Sequence, residues 1–279
     1  FRKGSVKQVI VFGAGFSKRL EKERQADIQI ITDASDPNMA NLALSYTTGI
    51  VQDLSMSLSN GQKGSFIINP EIKMLYNEEI KSVFMFVPGI MATLLMLISA
   101  IMTSITITRE KEFGTMEVLL ASPLKPYQII FGKVAPYLLL SLVNLALILL
   151  ISTTVFGMPV RGSYLLLIAE CSLFITTALS LGILISTVSN SMQVAMMISL
   201  VGLMMPTVLL SGFIFPIENM PWPLQWFSHI LPAKWFVIII KNIMLKGTGF
   251  SYVYKETLVL VFMTVLLLAL SRKKFKTRL

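Results

Sequence analysis

Residues 83–108 read VFMFVPGIMATLLMLISAIMTSITIT without a single charge, and residues 109–112, REKE, follow at once. An uncharged run longer than the roughly 20 residues needed to cross a bilayer predicts a transmembrane helix. The charged end marks where that helix leaves the membrane. The next apolar run begins near Val134, so the interruption is longer than a plain connection needs. Residues 107–126, ITREKEFGTMEVLLASPLKP, are long enough to fold into a structure of their own.

The rest of the chain fits a membrane setting. Of 279 residues, 54% are hydrophobic and 14% charged, where soluble domains carry about a quarter charged residues. Sequence before Lys81 is mixed, and sequence after it alternates apolar runs with short breaks. This predicts a small water-exposed α/β domain over 1–82 and a polytopic α-helical membrane domain over 83–279. The excess behind the net charge of +9 lies in the membrane half. There it signals topology and not nucleic-acid binding. The one cysteine, Cys171, has no partner for a disulfide within the chain and reads as a small buried apolar residue.

In the first domain, KQVIVF and ADIQIIT read as strands, residues 16–24 as a helix, and FIINPEIKMLY as one or two further strands. Asp36 followed by Pro37 suits a helix start, and Leu42, Tyr46, Ile50 and Leu54 then form one apolar stripe. The VFGAGF turn is no dinucleotide site, because the third glycine of GxGxxG would fall at Lys18.

Further spans are expected near 134–156, 164–185, 194–213 and 252–270, giving five after the first domain. Residues 214–246 are too apolar for a solvated loop and are broken by Pro216, Pro221, Pro223 and Pro232. All 3 tryptophans, Trp222, Trp226 and Trp235, fall in this segment. Tryptophan favours the membrane interface, so short interfacial or re-entrant helices are expected. Arg109, Lys111, Lys125 and Lys133 lie on the same side as the basic C-terminal stretch RKKFKTR. The positive-inside rule makes that side cytoplasmic and the first domain external.

The cytoplasmic segment 109–133 contains an amphipathic stretch: Phe113, Met116, Leu119 and Leu120 share a face, and Glu110, Glu112 and Glu117 lie nearer the other. A helix resting on headgroups favours basic residues. The acid-rich start of this one favours a protein partner.

These residues also carry a resemblance. TREKEFGTMEVLLASPLKPYQIIFGKVAPY resembles the first cytoplasmic loop of type-2 ABC exporter permeases, the class that exports drugs, lipids and polysaccharides. ISTVSNSMQVAM and LLSGFIFPIENMPWPLQWFSHILPAKWF resemble later signature stretches of that family. DASDPNMANLALSY and YNEEIKSVFMFVPG resemble its external domain and the return into the membrane. The resemblance covers essentially the whole chain, and the motifs come in order. It implies six spans, with a first preceding Phe1, in a bacterial inner (cytoplasmic) membrane. It also implies a coupling helix seated on a separate P-loop ATPase, with Glu110, Glu112, Phe113, Gly114, Thr115 and Glu117 at the contact and Gly114 allowing close backbone approach. A second permease copy or paralogue would complete the pathway, and the external domain suggests a periplasmic adaptor. No GxxxxGK[ST] occurs in the chain, so ATP and Mg would be bound by the partner, and this chain needs no cofactor of its own.

Candidate pathway or gating residues are Glu170, an acid inside an apolar run near the outer interface, together with Gln193 and Pro206. The 17 methionines are compatible with an adaptable apolar lining or with ordinary core filling. A membrane hydrolase would need an acid/base or metal constellation, which 1 histidine, 1 cysteine and no HExxH fail to supply. Neither catalytic nor metal-binding residues are expected. An ion-coupled transporter, or a non-transporting membrane scaffold or sensor, is the alternative.

Overall fold

The computed structural model describes residues 1–2, 4–59, 66–116 and 126–276. The chain divides into two compact units, Phe1–Met85 and Phe86–Leu279.

The first unit runs β1 (Gln8–Phe12), α1 (Phe16–Glu23), β2 (Gln25–Asp33), α2 (Pro37–Ser59) and β3 (Ile67–Leu75). The sheet order is β1-β2-β3. β1 lies antiparallel to β2, and β3 lies parallel to it, with α2 as the crossover a parallel pair requires. Alternation along β2 buries Ala26, Ile28, Ile30 and Thr32. Ile28, Ile30 and Ile68 form the core, packed by Phe16, Leu20, Leu44 and Val51. Asp36 starts α2 as its sequence suggests, its carboxylate accepting from the backbone N–H groups of Asn38 (3.2 Å) and Met39 (3.3 Å). FIINPEIKMLY forms one strand, and Pro70 is tolerated because β3 is an edge. The stripe Leu42–Tyr46–Ile50–Leu54 faces outward, with Tyr46 and Ile50 each 68% exposed. The sheet is met instead by Leu44 and Val51, seven residues apart on the opposite side.

The second unit contains α3 (Val83–Glu112), α4 (Pro126–Thr154), α5 (Tyr164–Val188), α6 (Met192–Leu210), a 3-10 turn (Ile217–Asn219), α7 (Trp222–Ser228), α8 (Pro232–Met244) and α9 (Phe250–Lys276). Among the described residues, α3, α4, α5, α6 and α9 are the 5 helices long and apolar enough to cross a membrane. α7 and α8 form a pair bent by 78° where an interfacial or re-entrant segment is expected. Several helices outrun their apolar cores: α3 continues through Glu112, α4 starts at Pro126, and α9 reaches Lys276. Hydropathy marks the limits of the membrane, whereas a helix is closed by backbone hydrogen bonds that continue into water.

α3 and α5 are the enclosed helices of this unit, and α4, α6 and α9 turn most of their surface outward. Helices in lipid associate through close packing and interhelical hydrogen bonds, and both occur. A Cβ added at Gly182 of α5 would stand 2.6 Å from the Ala100 carbonyl oxygen of α3. Hydroxyl pairs join α3 to α4 (Ser99–Ser141, 2.9 Å), α3 to α6 (Ser104–Ser199, 2.9 Å) and α5 to α9 (Thr177–Thr264, 2.7 Å).

The α3–α5 approach makes Gly182→Leu costly, by about 1–3 kcal/mol of overpacking. Gly202→Leu, where the nearest atom to an added Cβ is 3.9 Å away, is tolerated. Thermal unfolding in detergent checks this: Gly182→Leu lowers the midpoint or the monodisperse yield, and Gly202→Leu leaves both near wild type.

Candidate functional site

α3 does not end where its apolar run ends. Arg, Glu and Lys are good helix formers, so REKE adds one more turn. The turn closes with Phe113 N–H on the Arg109 carbonyl (3.0 Å) and Gly114 N–H on the Lys111 carbonyl (3.2 Å). Gly114 then takes φ +72°, the left-handed conformation that stops a helix. Among the described residues, and its chain neighbours aside, no atom lies within 4 Å of where a Cβ would be, so the space beside Gly114 is open. Thr115 and Met116 resume helical geometry. Met116 is buried with Ile107 of α3 and Ile183 of α5, against Val134 of α4, and so anchors the segment. Phe113 is left 63% exposed, with the Arg109 guanidinium 5.7 Å from its ring centroid.

Successive residues on an α-helix point about 100° apart, so Glu110, Lys111 and Glu112 fan out to three different helices. Glu110 Oε1 pairs with Lys133 Nζ of α4 at 2.6 Å, while Thr115 Oγ1 donates to Glu110 Oε2. Lys111 Nζ donates to the Ser186 carbonyl in the last turn of α5. Glu112 Oε2 accepts from the backbone N–H of Met192, the first residue of α6, at 2.7 Å. The signs match the helix ends they meet. A cation suits the carbonyl end of α5, and an anion suits the amide end of α6. Ser191 completes the cap, its Oγ accepting from Val194 N–H at 3.3 Å.

The expected contact residues are therefore not equivalent. Glu110 and Thr115 bond to each other, Glu112 is engaged with α6, and Phe113 and Gly114 are open. Glu117, Leu119, Leu120 and Lys125 lie outside the described residues. Gln193 is the second residue of α6 and exposed, next to the Glu112 contact. Pro206 lies inside α6, and its neighbour Thr207 donates to Met96 Sδ of α3 at 3.4 Å. Ser186 and Met192 take part through backbone groups, which leave no mark in a sequence, and Lys133 reads there only as one of the loop's basic residues. Ser191 before an apolar run was the readable signal for this cap.

Elsewhere, Glu170 is enclosed: it is 3% exposed, and Thr257 of α9 donates to its Oε1 at 2.8 Å. Among the described residues, Glu170 Oε2 and Glu256 Oε2 are buried with no hydrogen-bond partner. Trp222 and Trp226 are exposed, with ring centroids 6.3 Å apart. Trp235 donates from Nε1 to the His229 carbonyl at 3.0 Å, holding the bend between α7 and α8. Lys234 is buried beside it, Nζ donating to Ser228 Oγ at 3.2 Å.

Among the described residues, five helices long and apolar enough to cross a membrane mark the second unit as a polytopic membrane domain. Residues 1–273 match the family described as ABC-2 family transporter protein, and the chain belongs to it. It is 33% identical over 279 residues to the probable multidrug ABC transporter permease YbhS of Escherichia coli strain K12, a match covering 99% of this chain and 74% of that one. It is 31% identical over 256 residues to the probable multidrug ABC transporter permease YbhR of the same strain, covering 92% and 69%. Its identity to the inner membrane transport permease YhhJ of that strain is 29% over 273 residues, covering 91% and 70%. The chain is thus a membrane permease subunit of an ABC transporter, and ATP hydrolysis belongs to a partner ATPase.

The Glu110–Lys133 pair gives a direct check on this geometry, since its side chains are only 22% and 24% exposed. Lys133→Glu places two acids together and lowers thermal stability. The exchange Glu110→Lys with Lys133→Glu restores about 1 kcal/mol of coupling, read as recovery of the unfolding midpoint in a double-mutant cycle.

Proposed function

We propose that this chain is the inner-membrane permease of an ATP-driven exporter, worked by a partner ATPase that binds the turn after α3. The observation that carries this reading is the exposed Phe113–Gly114 turn, mounted on a helix end whose charges are tied to α4, α5 and α6. A partner that grips Phe113 moves three spans at once. In this reading Phe113 and Gly114 are the contact, Glu110 and Thr115 hold the turn in shape, and Glu117 extends the contact. ATP and Mg sit on the partner.

Two permease copies, or this chain and a paralogue, enclose the pathway between them. Nucleotide then shifts the population between inward- and outward-open arrangements, which requires only that the ATPase bind the two unequally. The cargo class is the one in the names of YbhS and YbhR, drug-like molecules. Met196, Met197, Met204 and Met205 on the outward side of α6 supply an adaptable apolar surface for it. The first unit lies outside the membrane and hands cargo to an envelope adaptor. Glu170, Gln193 and Pro206 influence the pathway through the helices that carry them and not as a charged lining.

The test is co-purification of the ATPase with the permease from native membranes in mild detergent. Phe113→Asp removes the exposed ring and reduces the recovered ATPase at least about tenfold, equivalent to 1.4 kcal/mol of affinity. Leu165→Ser, at an 83% exposed position in the first turn of α5, leaves recovery unchanged. Equal recovery with both variants contradicts the assigned contact.

A further inference from the structure

We infer that Glu112 is a positioning residue for ATP-driven transport, carrying movement of the α3 turn to α6 through its hydrogen bond to the Met192 backbone N–H. The inference rests on the reading that an ATPase binds beside this turn, but it gives Glu112 a task inside the permease and not on the docking surface.

Three contacts along the α3–α6 interface support it. Glu112, Ser104 and Met96 of α3 face the Met192 N–H, Ser199 and Thr207 of α6, at 2.7, 2.9 and 3.4 Å. Partners lie eight residues apart on one antiparallel helix and seven or eight apart on the other, so the contacts follow one seam. Only the Glu112 contact is charged, and it lies at the end of the seam nearest the Phe113 turn. A carboxylate on a helix N-terminus is stronger than a neutral hydrogen bond and complements the helix dipole. Displacing it leaves Met192 N–H without this acceptor at the start of a span. Lys111, holding the last turn of α5 through Ser186, keeps the preceding helix in place on the other side of the same short break. The end of α3 therefore grips the α5–α6 junction by both of its dipoles, and a push on Phe113 is passed to α6 through Glu112.

The contact can be deleted from either partner. Met192 is the first residue of α6, a position proline accepts. Ser191 before it has φ −133° and ψ 154°, the extended conformation a following proline demands. Met192→Pro thus removes the donor while leaving the helix able to form, and Met192→Ala keeps the donor while changing the side chain.

The experiment uses the full permease with its ATPase in lipid nanodiscs. An environment-sensitive fluorophore is attached at Ile198→Cys on the exposed side of α6, a position with no part in the proposed cargo surface; the native Cys171 is buried. Emission is compared with and without ATP and Mg under vanadate trapping. Glu112→Ala and Met192→Pro are each expected to abolish the nucleotide-dependent shift while the ATPase still co-purifies and hydrolyses ATP. Their combination is expected to be no worse than either alone, and Met192→Ala to respond as wild type. The inference is overturned if Met192→Pro keeps the shift, if the unaltered permease shows none, or if Glu112→Ala alone releases the ATPase. The last result would move Glu112 to the docking surface. Failure of the docking assignment itself is read separately, from retention of the ATPase by Phe113→Asp.

Discussion

Three consecutive charged side chains on one helical turn hold the working end of this permease together. Because an α-helix rotates about 100° per residue, Glu110, Lys111 and Glu112 reach α4, α5 and α6 in succession. Each sign is matched to what it meets: a lysine ammonium, a helix carbonyl end and a helix amide end. No other arrangement of these charges serves all three. Exchanging Lys111 and Glu112 would set an acid against carbonyls and a base against amides. The turn that follows can then be both exposed and firmly mounted, which is what a handle requires.

Further into the membrane the same helices are held by weaker and more numerous means. Apolar side chains gain little from leaving lipid for one another, so proximity and shared hydroxyls replace hydrophobic burial. Gly182 lets α5 reach the backbone of α3, and serine and threonine pairs link α3, α4, α5, α6 and α9. Such contacts can be broken and remade at small cost. That suits spans that must change arrangement during a transport cycle. The enclosed carboxyl of Glu170, bonded to Thr257, ties α5 to α9 in the same manner.

Much of this was legible in the sequence, for identifiable reasons. Uncharged runs marked the five spans because hydrocarbon excludes charge, and tryptophans with prolines marked the bent α7–α8 pair. The strands of the first domain showed in alternation, and Asp36–Pro37 marked the start of α2. What could not be read was direction. The Tyr46–Ile50 stripe was visible, but the face of α2 that meets the sheet was not. Glu112 was readable as a charged residue on a partner-facing segment, whereas its acceptor role depends on a backbone N–H some eighty positions away, which carries no letter. The left-handed stop at Gly114 is a backbone property that the bare letter G does not distinguish from other uses of glycine. Hydropathy also placed the end of α3 before REKE, since it follows solvent and not backbone hydrogen bonding.

The claim on which the account depends is that the Phe113 turn touches the ATPase. Photo-crosslinking tests it most directly. A benzophenone amino acid replaces Phe113 in the full permease, which is irradiated in native membranes with ATP and Mg present. One covalent adduct joining the permease to a P-loop ATPase is expected, with a crosslinked peptide containing position 113. Adducts only to lipid, or to other segments of the permease, would contradict it.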